Sequence, residues 1–313
     1  MNLVFCGTPE FAVPTLKKLV DAGHNVRLVV TQPDRPSGRG QEVVAPPVKR
    51  VAQSLELPIV QPDKIKNNLE FRAQLKEIKP EAIIVVGYGR IIPKWMIDIP
   101  PHGNINLHAS LLPKYRGAAP IQWAIAKGES VTGVTTMRID EGLDTGDILL
   151  QRELIIDPED TTVTVAPRLA EMGAELMIET LPRLETGTIQ PRKQDHADAS
   201  LAPVLKKEDG LIDFNRDAPE ILNRLRGFQL WPGAFTTFRG KNLTFHRVQL
   251  AAYGIAPLLP GEVKVAGEDL FVGCGEGTVL QVIEQQPEGK RRMSARDFVH
   301  GYRPKTGERL GSG

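Results

Sequence analysis

The stretch AIIVVGYG, residues 82 to 89, is a run of branched apolar residues that closes on glycine. Such a run is typical of a strand buried on both faces of a parallel sheet. The predicted strands are residues 3 to 7, 25 to 31, 82 to 89 and 103 to 108, and the predicted helices between them are residues 9 to 22, 46 to 56 and 67 to 78. This alternation predicts an α/β fold with an open, mostly parallel sheet, in which ligands bind beyond the carboxyl ends of the strands.

After residue 130 the pattern changes. Two further strands are predicted at residues 131 to 139 and 146 to 156, and a long helix at about residues 162 to 185. Residues 191 to 207 are polar and contain prolines, which is typical of a linker. The first domain is therefore expected to comprise residues 1 to 190.

Residues 208 to 313 have the pattern of a second, smaller domain. A predicted helix precedes several short strands that glycine and proline separate. The helix is residues 218 to 227, and the strands are residues 234 to 238, 241 to 250, 261 to 266, 270 to 275 and 278 to 286. Short strands at this spacing predict a small barrel. The expected architecture is a Rossmann-like α/β domain followed by a small OB-like β-barrel domain.

The composition restricts the class of protein. Hydrophobic residues make up 41% of the 313 and charged residues 25%, and the net charge of +1 gives no overall field that attracts nucleic acid. Cys6 and Cys274 cannot form a disulfide framework, and the six histidines lack metal-ligand spacing, so no metal is expected. The opening MNLVFCG does not resemble a signal peptide, which favours a cytoplasmic protein without a membrane segment.

Two polar residues interrupt the strand at residues 103 to 108. Asn106 and His108 are two positions apart, so their side chains leave the same face near the carboxyl end of the strand. An amide N–H can stabilise charge that forms on a carbonyl oxygen, and a histidine can bind the same oxygen or transfer protons. The alternative is an edge pair that bonds only to loop backbone. Because a turn that contains Pro and Gly follows Asn106 and His108, we favour a site at which a carbonyl is attacked. No Ser or Cys is evident as the nucleophile of such a site.

The stretch DEGLDTGD, residues 140 to 147, contains four carboxylates and two glycines. One carboxylate of such a turn, Asp144, could point inward, orient His108 and favour its charged form. A hairpin loop with solvated acids is the alternative, because turns favour Asp and Gly. The spacing alone does not choose between Asp144 and Asp147.

The stretches GNINLHASLLPKYRGAAPIQWAI, residues 103 to 125, and GLDTGDIL, residues 142 to 149, resemble the folate-dependent formyltransferase family. The resemblance implies transfer of a formyl group from 10-formyltetrahydrofolate to an amine, with Asn106, His108 and Asp144 as catalytic residues. The folate-binding residues that it implies are Ser110, Leu111, Leu112, Pro113, Val86, Gly87 and Tyr88.

Further stretches resemble those family members whose acceptor is the α-amine of methionine on initiator tRNA. They are FCGTPEFAVPTLKKL (5 to 19), TQPDRPSGRG (31 to 40) and LNRLRGFQLWPGAFTTF (222 to 238). The resemblance implies initiator methionyl-tRNA as the partner, for translation initiation, and no protein partner. The implied tRNA-binding residues are Arg35 and Arg39 in the basic loop, and Lys290, Arg291 and Arg292 in the cluster GKRRMSAR.

Three other functions remain open from the residues. One is a formyltransferase that acts on a small amine, such as a nucleotide sugar or a purine precursor, which needs neither the basic loop nor the barrel. Another is a hydrolase that releases formate from the folate. The third is a non-catalytic RNA-binding protein, which the intact Asn, His and Asp disfavour. Residues 207 to 313 hold 15 Lys and Arg against 13 Asp and Glu, so this region is not strongly basic.

Overall fold

The computed structural model describes residues 1–37, 42–252 and 255–311. The chain forms two compact units. The first comprises Met1–Pro120, Val131–Ile155 and Val165–Pro203, and the second comprises Ile121–Ser130, Ile156–Thr164 and Val204–Gly313. The helices are α1 (Val13–Asp21), α2 (Pro47–Ser54), α3 (Leu69–Ile78), α4 (Lys94–Ile97), α5 (Pro120–Ala126), α6 (Thr162–Glu185), α7 (Ala218–Gly227) and α8 (Ala295–Tyr302).

The first unit is built on a seven-stranded sheet in the order β10-β9-β7-β6-β1-β2-β5. The five neighbouring strands β7, β6, β1, β2 and β5 are parallel to one another. At the other side of the sheet, β9 pairs antiparallel with β7, and β10 pairs antiparallel with β9. The strands of this unit are β1 (Asn2–Gly7), β2 (Asn25–Val30), β3 (Arg35–Ser37), β4 (Glu42–Val44), β5 (Ile59–Val60), β6 (Ala82–Val86), β7 (Asn104–His108), β8 (Arg116–Gly117), β9 (Val131–Arg138), β10 (Ile148–Ile155) and β11 (Leu201–Ala202). The predicted open, mostly parallel sheet is confirmed.

The central strands carry the core of this unit. Leu3, Val4, Phe5 and Cys6 on β1 are all 0% exposed, and every residue of β6 is buried. Alternate side chains of these strands leave opposite faces, so helices must cover both sides of the sheet. Burial of each large side chain stabilises the fold by about 1.5–3 kcal/mol. The uninterrupted apolar runs of the sequence therefore predict these strands well.

Strand β6 is shorter than the predicted 82 to 89. It ends at Val86 because Gly87 and Gly89 have φ values of +54° and +75°, which turn the chain out of the sheet. A Cβ at Gly87 would lie 2.9 Å from Pro9 Cγ, so the turn also packs closely against the residues that follow β1. This turn opens the carboxyl edge of the sheet beside β7.

Residues 191 to 203, here called the return segment, belong to the first unit. Arg192 exchanges two main-chain hydrogen bonds with Ile148, both 2.8 Å long, and β11 pairs with β8 in parallel. Main-chain bonds therefore join most of the expected linker, residues 191 to 207, to the first unit. The segment lacks a hydrophobic period, and its pairing partners lie far away along the chain, so its local sequence does not predict the contacts.

The second unit is an antiparallel sheet in the order β12-β13-β16-β15-β14, with β17 paired to β16. The strands are β12 (Ala234–Phe238), β13 (Lys241–Leu250), β14 (Val263–Ala266), β15 (Asp269–Gly273), β16 (Val279–Pro287) and β17 (Met293–Ser294). Phe245, Val282 and Ile221 of α7 lie in one buried cluster with Phe298 of α8. The small, separate β domain that the sequence predicts is thus present.

Helix α8 was not predicted, because its start lies within the charged stretch at residues 289 to 296. Ser294 caps the helix by accepting a hydrogen bond of 3.1 Å from the Asp297 N–H. Among residues 1–37, 42–252 and 255–311, no helix combines the length and the apolar character needed to cross a bilayer.

Candidate active site

The candidate site lies at the carboxyl ends of two adjacent parallel strands. Asn106 on β7 is opposite Val85 on β6, so the end of β7 lies beside the glycine turn that follows β6. Asn106 is half-buried, and His108 is 6% exposed. The two side chains leave the same face of β7 because they are two residues apart. The edge predicted to hold the chemistry therefore holds both polar residues.

The two nitrogens of His108 have different neighbours. Nε2 lies 2.9 Å from the main-chain oxygen of Tyr115, and Nδ1 lies 3.7 Å from Oδ2 of Asp144. A carbonyl oxygen only accepts hydrogen bonds, so its position assigns a hydrogen to Nε2. The distance to Asp144 exceeds that of a hydrogen bond but leaves the carboxylate as the nearest acidic group to the ring. The ring is therefore held by one hydrogen bond and faces one negative charge.

Asp144 has an unusual backbone conformation, with φ +52°. Its Oδ2 accepts a hydrogen bond of 2.9 Å from the Gly117 N–H. Gly117 itself has φ +121°, and a Cβ there would lie 2.6 Å from the main-chain oxygen of Ala202. Only glycine fits this approach, so the motif KYRGAAP is shaped to present an N–H to the carboxylate.

The acids of residues 140 to 147 have separate places. Asp140 closes the loop by accepting hydrogen bonds from the Thr145 hydroxyl at 2.7 Å and the Gly142 N–H at 3.0 Å. Glu141 lies 3.4 Å from Lys94 on the surface. Asp144 is the acid of this loop that faces His108, which resolves the choice that the spacing left open.

Asn106 is the least constrained of the three residues. Its side chain forms no hydrogen bond with the residues that the structure describes. Its amide therefore keeps both N–H donors for a ligand, on the same face of β7 as His108. Such a pair of donors suits an oxygen that becomes negative during a reaction.

The stretch predicted to contact folate forms the turn after β7. The Ser110 hydroxyl donates to the main-chain oxygen of Lys114 at 2.6 Å, and Ser110 is 0% exposed. Leu112 packs in a small buried cluster with Met137 and Ile148. Leu111 and Pro113 are half-buried. The structure therefore uses the Ser110 and Leu112 side chains inside the turn and leaves Leu111 and Pro113 more accessible.

The other predicted folate residues follow β6. Val86 and Tyr88 are buried, whereas Gly87 is exposed. The main-chain oxygen of Tyr88 accepts from the Gln32 amide at 3.0 Å. Burial raises the pKa of the Tyr88 hydroxyl, so the group stays neutral. The exposed part of this turn is backbone and glycine, and its large side chains Val86 and Tyr88 are buried.

The predicted basic loop begins in a two-stranded pair, β3 and β4. Arg35 on β3 is exposed, and its Nη2 lies 3.4 Å from Gln32 Oε1. Arg39 lies outside the described residues. At the base of the pair, Gln61 and Lys49 bond to the carboxylate of Asp34, and the hydrogen bond from Gln61 is the main cause that lowers its pKa. The base of this hairpin is thus fixed by an ion pair.

The three basic residues predicted in the second unit differ from one another. Arg292 is engaged within the protein, with Nη2 2.9 Å from His246 Nδ1 and Nη1 3.6 Å from Glu284. Lys290 and Arg291 are exposed at the turn between β16 and β17. Lys290 and Arg291 are therefore better placed than Arg292 to bind an external phosphate.

The prediction from sequence missed the groups that hold this arrangement. Tyr115 and Gly117 lie within the motif that was recognised, but only the folded turn shows their contacts with His108 and Asp144. Gln194, in the return segment, was not predicted at all because that segment resembles a linker. Its Nε2 donates to the main-chain oxygens of Asp144 and Gly146. Among the described residues, no group of three or more His, Cys, Asp or Glu side chains could hold a metal ion.

Comparisons with known proteins give the family. Residues 1–181 match the family model described as formyl transferase, and residues 204–303 match the model for the formyl transferase C-terminal domain. A methionyl-tRNA formyltransferase of Koribacter versatilis (strain Ellin345) is 66% identical over 311 residues, 99% of each chain. One of Acidobacterium capsulatum is 64% identical over 312 residues, 100% of each chain.

A solved structure of similar fold is an N-formyltransferase from Helicobacter canadensis in complex with folinic acid and dTDP-3-aminofucose. Its TM-score is 0.67 at 20% identity, over 91% of this chain and 98% of the other. At that identity the likeness concerns the fold alone. The two family models together cover most of the chain, and the curated relatives match it from end to end. The chain belongs to the formyl transferase family.

Proposed function

We propose that this chain transfers the formyl group of 10-formyltetrahydrofolate to the α-amine of methionine on initiator methionyl-tRNA. The observation that carries the proposal is the identity of 66% and 64%, over essentially the whole chain, to proteins named methionyl-tRNA formyltransferase. The arrangement of Asn106, His108 and Asp144 supports it, because these residues suit an attack on a carbonyl carbon. Formylated initiator tRNA then serves translation initiation.

The acceptor must lose a proton before or during the attack. An α-amine has a pKa of about 8, so a substantial share of it is protonated at neutral pH. The neutral amine attacks the formyl carbon, and a bond forms between the amine nitrogen and that carbon. The bond from the carbon to the folate nitrogen then breaks, and the leaving nitrogen takes up a proton. No step requires a nucleophile from the protein.

Asn106 and His108 stabilise the oxygen that becomes negative. The free amide of Asn106 donates one hydrogen bond, and His108 donates from Nε2, whose hydrogen the Tyr115 oxygen also accepts. The formyl oxygen therefore shares the Nε2 hydrogen with the Tyr115 oxygen or replaces that oxygen as its acceptor. One donor of this kind contributes about 3 kcal/mol to stabilisation of the transition state.

Asp144 acts on His108 by charge and position. Its carboxylate lies 3.7 Å from Nδ1, and the Gly117 N–H fixes the oxygen concerned. The fixed carboxylate therefore holds the orientation in which the ring meets the formyl oxygen. The same carboxylate takes the amine proton through water. These are roles for a positioned acid and a positioned base.

The folate binds where the ends of β6 and β7 meet. We assign contact to Val86, Gly87 and Tyr88 through the glycine turn, and to Ser110, Leu111, Leu112 and Pro113 through the turn after β7. The accessible Gly87, Leu111 and Pro113 support direct contact. The buried residues of this set, Val86, Tyr88, Ser110 and Leu112, contribute by shaping the backbone that contacts the folate.

Binding of tRNA is assigned to the basic residues outside this site. Arg35 and Arg39 contact the acceptor end. Lys290, Arg291 and Arg292 contact phosphates, Arg292 in exchange for its contacts with His246 and Glu284. We place catalysis in residues 1 to 190 and tRNA binding in residues 208 to 313. The expected linker at 191 to 207 is bonded to the catalytic part through Gln194 and its neighbours. Initiator tRNA is a cytoplasmic molecule, so we place the protein in the cytoplasm.

The test is formyl transfer from 10-formyltetrahydrofolate, with methionyl initiator tRNA and methionyl elongator tRNA offered side by side. We expect formylation of the initiator tRNA alone. Turnover of the folate with neither tRNA formylated would contradict the proposal. Release of formate would then indicate a hydrolase, and transfer to an added nucleotide-sugar amine would indicate a small-amine enzyme.

A further inference from the structure

The return segment contacts the elements that carry the candidate site. The Ser200 hydroxyl accepts from the Tyr115 N–H at 2.9 Å, and its main-chain oxygen accepts from the Arg116 N–H at 2.8 Å. The oxygen of Ala202 accepts from the Ala119 N–H at 3.2 Å. These bonds fix the turn from which the Tyr115 oxygen and the Gly117 N–H reach the site.

Gln194 is the residue of this segment that reaches the loop of Asp144. It is 7% exposed, and its Nε2 donates to the main-chain oxygens of Asp144 at 2.8 Å and Gly146 at 2.7 Å. Its Oε1 accepts from Nε of Arg116 at 3.0 Å and from Nη2 at 2.7 Å. A guanidinium only donates and a carbonyl only accepts, so these partners assign the orientation of the amide.

These bonds close a ring around Asp144. Gln194 holds the main-chain oxygen of Asp144, and the Gly117 N–H holds its carboxylate. Gly117 follows Arg116 in the chain, and the Arg116 side chain returns to Gln194. Both ends of one residue are therefore fixed by a single closed set of hydrogen bonds, and every member of the set has its partner.

Asp144 needs such support because its backbone is left-handed, with φ +52°. Asp tolerates this conformation better than most residues with a Cβ, but a left-handed residue in a loop still needs contacts that hold it in one place. The amide of Gln194 binds the oxygens on both sides of residue 145 and so imposes the conformation of the loop. If the loop relaxed, the carboxylate would leave its position 3.7 Å from His108.

We infer that Gln194 is a positioning residue of the formyl-transfer site, which sets the carboxylate of Asp144 opposite His108 by holding the backbone of the Asp144 loop. The inference rests on the proposed function. Gln194 contacts no reacting group, so its effect is on the rate of the chemical step and not on the binding of either substrate.

Two variants separate the role of the N–H donors of the Gln194 amide from the role of its oxygen acceptor. Gln194→Met removes the donors and the acceptor at similar volume. Gln194→Glu keeps an acceptor for Arg116 but places an oxygen against the oxygens of Asp144 and Gly146. Since the donors matter here, we expect kcat to fall at least tenfold in both variants, with KM for folate and tRNA unchanged within about twofold. A wild-type kcat in either variant would overturn the inference.

The matched control is Gln285→Met in the second unit. Gln285 is 0% exposed, and its amide also donates to a main-chain oxygen, that of Ser294 at 2.9 Å. The same chemical change there lowers the thermal midpoint and leaves kcat at saturating substrate unchanged. An equal loss of kcat in this control would mean that Gln194→Met acts only through stability, and would overturn the inference.

A double-mutant cycle with Asp144→Asn tests whether Gln194 acts through Asp144. We expect Gln194→Met to slow the Asp144→Asn enzyme by less than about twofold, because the carboxylate that it positions is already gone. If the fold-losses in kcat of the two single variants multiplied in the double variant, the two residues would act independently, and the inference would be overturned. A fully active Asp144→Asn enzyme would instead contradict the proposed role of Asp144 itself, so the two failures can be told apart.

Discussion

His108 donates the hydrogen on Nε2 to the main-chain oxygen of Tyr115, 2.9 Å away. This bond aims Nδ1 at Asp144 and places the donor hydrogen on the opposite side of the ring. A substrate oxygen that takes the hydrogen meets a ring whose orientation is already set. The turn around Tyr115 therefore supports the proposed catalytic residues, although no side chain of that turn is proposed to react.

The first prediction concerns Asn106. Asn106→Ala removes a donor to the oxyanion, so kcat should fall a hundredfold or more, which corresponds to about 3 kcal/mol. The affinity for tRNA should change little, because the amide contacts only the reacting centre. Single-turnover transfer gives the rate, and filter binding with initiator tRNA gives the affinity. Weak tRNA binding in this variant would count against the role assigned to Asn106.

The second prediction separates the charge of Asp144 from its structure. Asn tolerates the left-handed conformation and keeps an oxygen for the Gly117 N–H, so Asp144→Asn should change the thermal midpoint little. The rate should fall by a factor of about 10² to 10⁴, because the charge that supports His108 is lost. Thermal unfolding and kcat measured on the same preparation test this. A large loss of stability with a retained rate would assign Asp144 a structural role.

The third prediction concerns the basic loop, residues 31 to 40. Arg35→Ala and Arg39→Ala should raise KM for initiator tRNA and leave KM for folate unchanged. Loss of one phosphate contact should also reduce the slope of log affinity against log salt by about 1. Arg27→Ala is the control, since Arg27 is an exposed arginine on β2 of the same unit. An unchanged tRNA KM and salt slope in both variants would mean that the basic loop, residues 31 to 40, does not bind tRNA.

The fourth prediction concerns the glycine that holds Asp144. Gly117→Ala should destabilise the protein and abolish transfer, because the new Cβ would lie 2.6 Å from the Ala202 oxygen. Gly103→Ala is the control: Gly103 has φ +86° and nothing within 4 Å of its Cβ position, so it carries only the backbone cost of about 1–2 kcal/mol. Chemical denaturation compares the two. Equal losses of stability would mean that the contact with Ala202 has no energetic importance.

The fifth prediction concerns pH and Cys6. Burial raises the pKa of this thiol above its ordinary value of about 9. The stability linked to the neutral thiol is complete below the pKa of the unfolded state and is lost as the pH rises above it, by up to about 1.4 kcal/mol per pH unit. The free energy of unfolding measured with urea should therefore fall more steeply between pH 8 and pH 11 for the wild type than for Cys6→Ala. Parallel profiles would contradict the burial argument.

Much of the fold could be predicted because its elements are periodic. Helix α7 and strands β12 and β13 have the bounds that the sequence predicts. Their apolar residues repeat at the helical or strand period, and Gly or Pro stands at their ends. Helix α8 was missed because its first turn is part of a charged cluster, and the pair β3 and β4 because its strands are very short.

The sequence by itself determined that Asn106 and His108 share one face, because residues two apart on a strand always do. It did not determine which acid faces His108. That choice depends on the left-handed backbone of Asp144, on the N–H of Gly117 and on Gln194, which lies 50 residues further along the chain. Local spacing carries no information about such a distant partner. Only the tertiary structure brings the return segment against the loop, where buried polar groups must find partners and so fix the carboxylate in place.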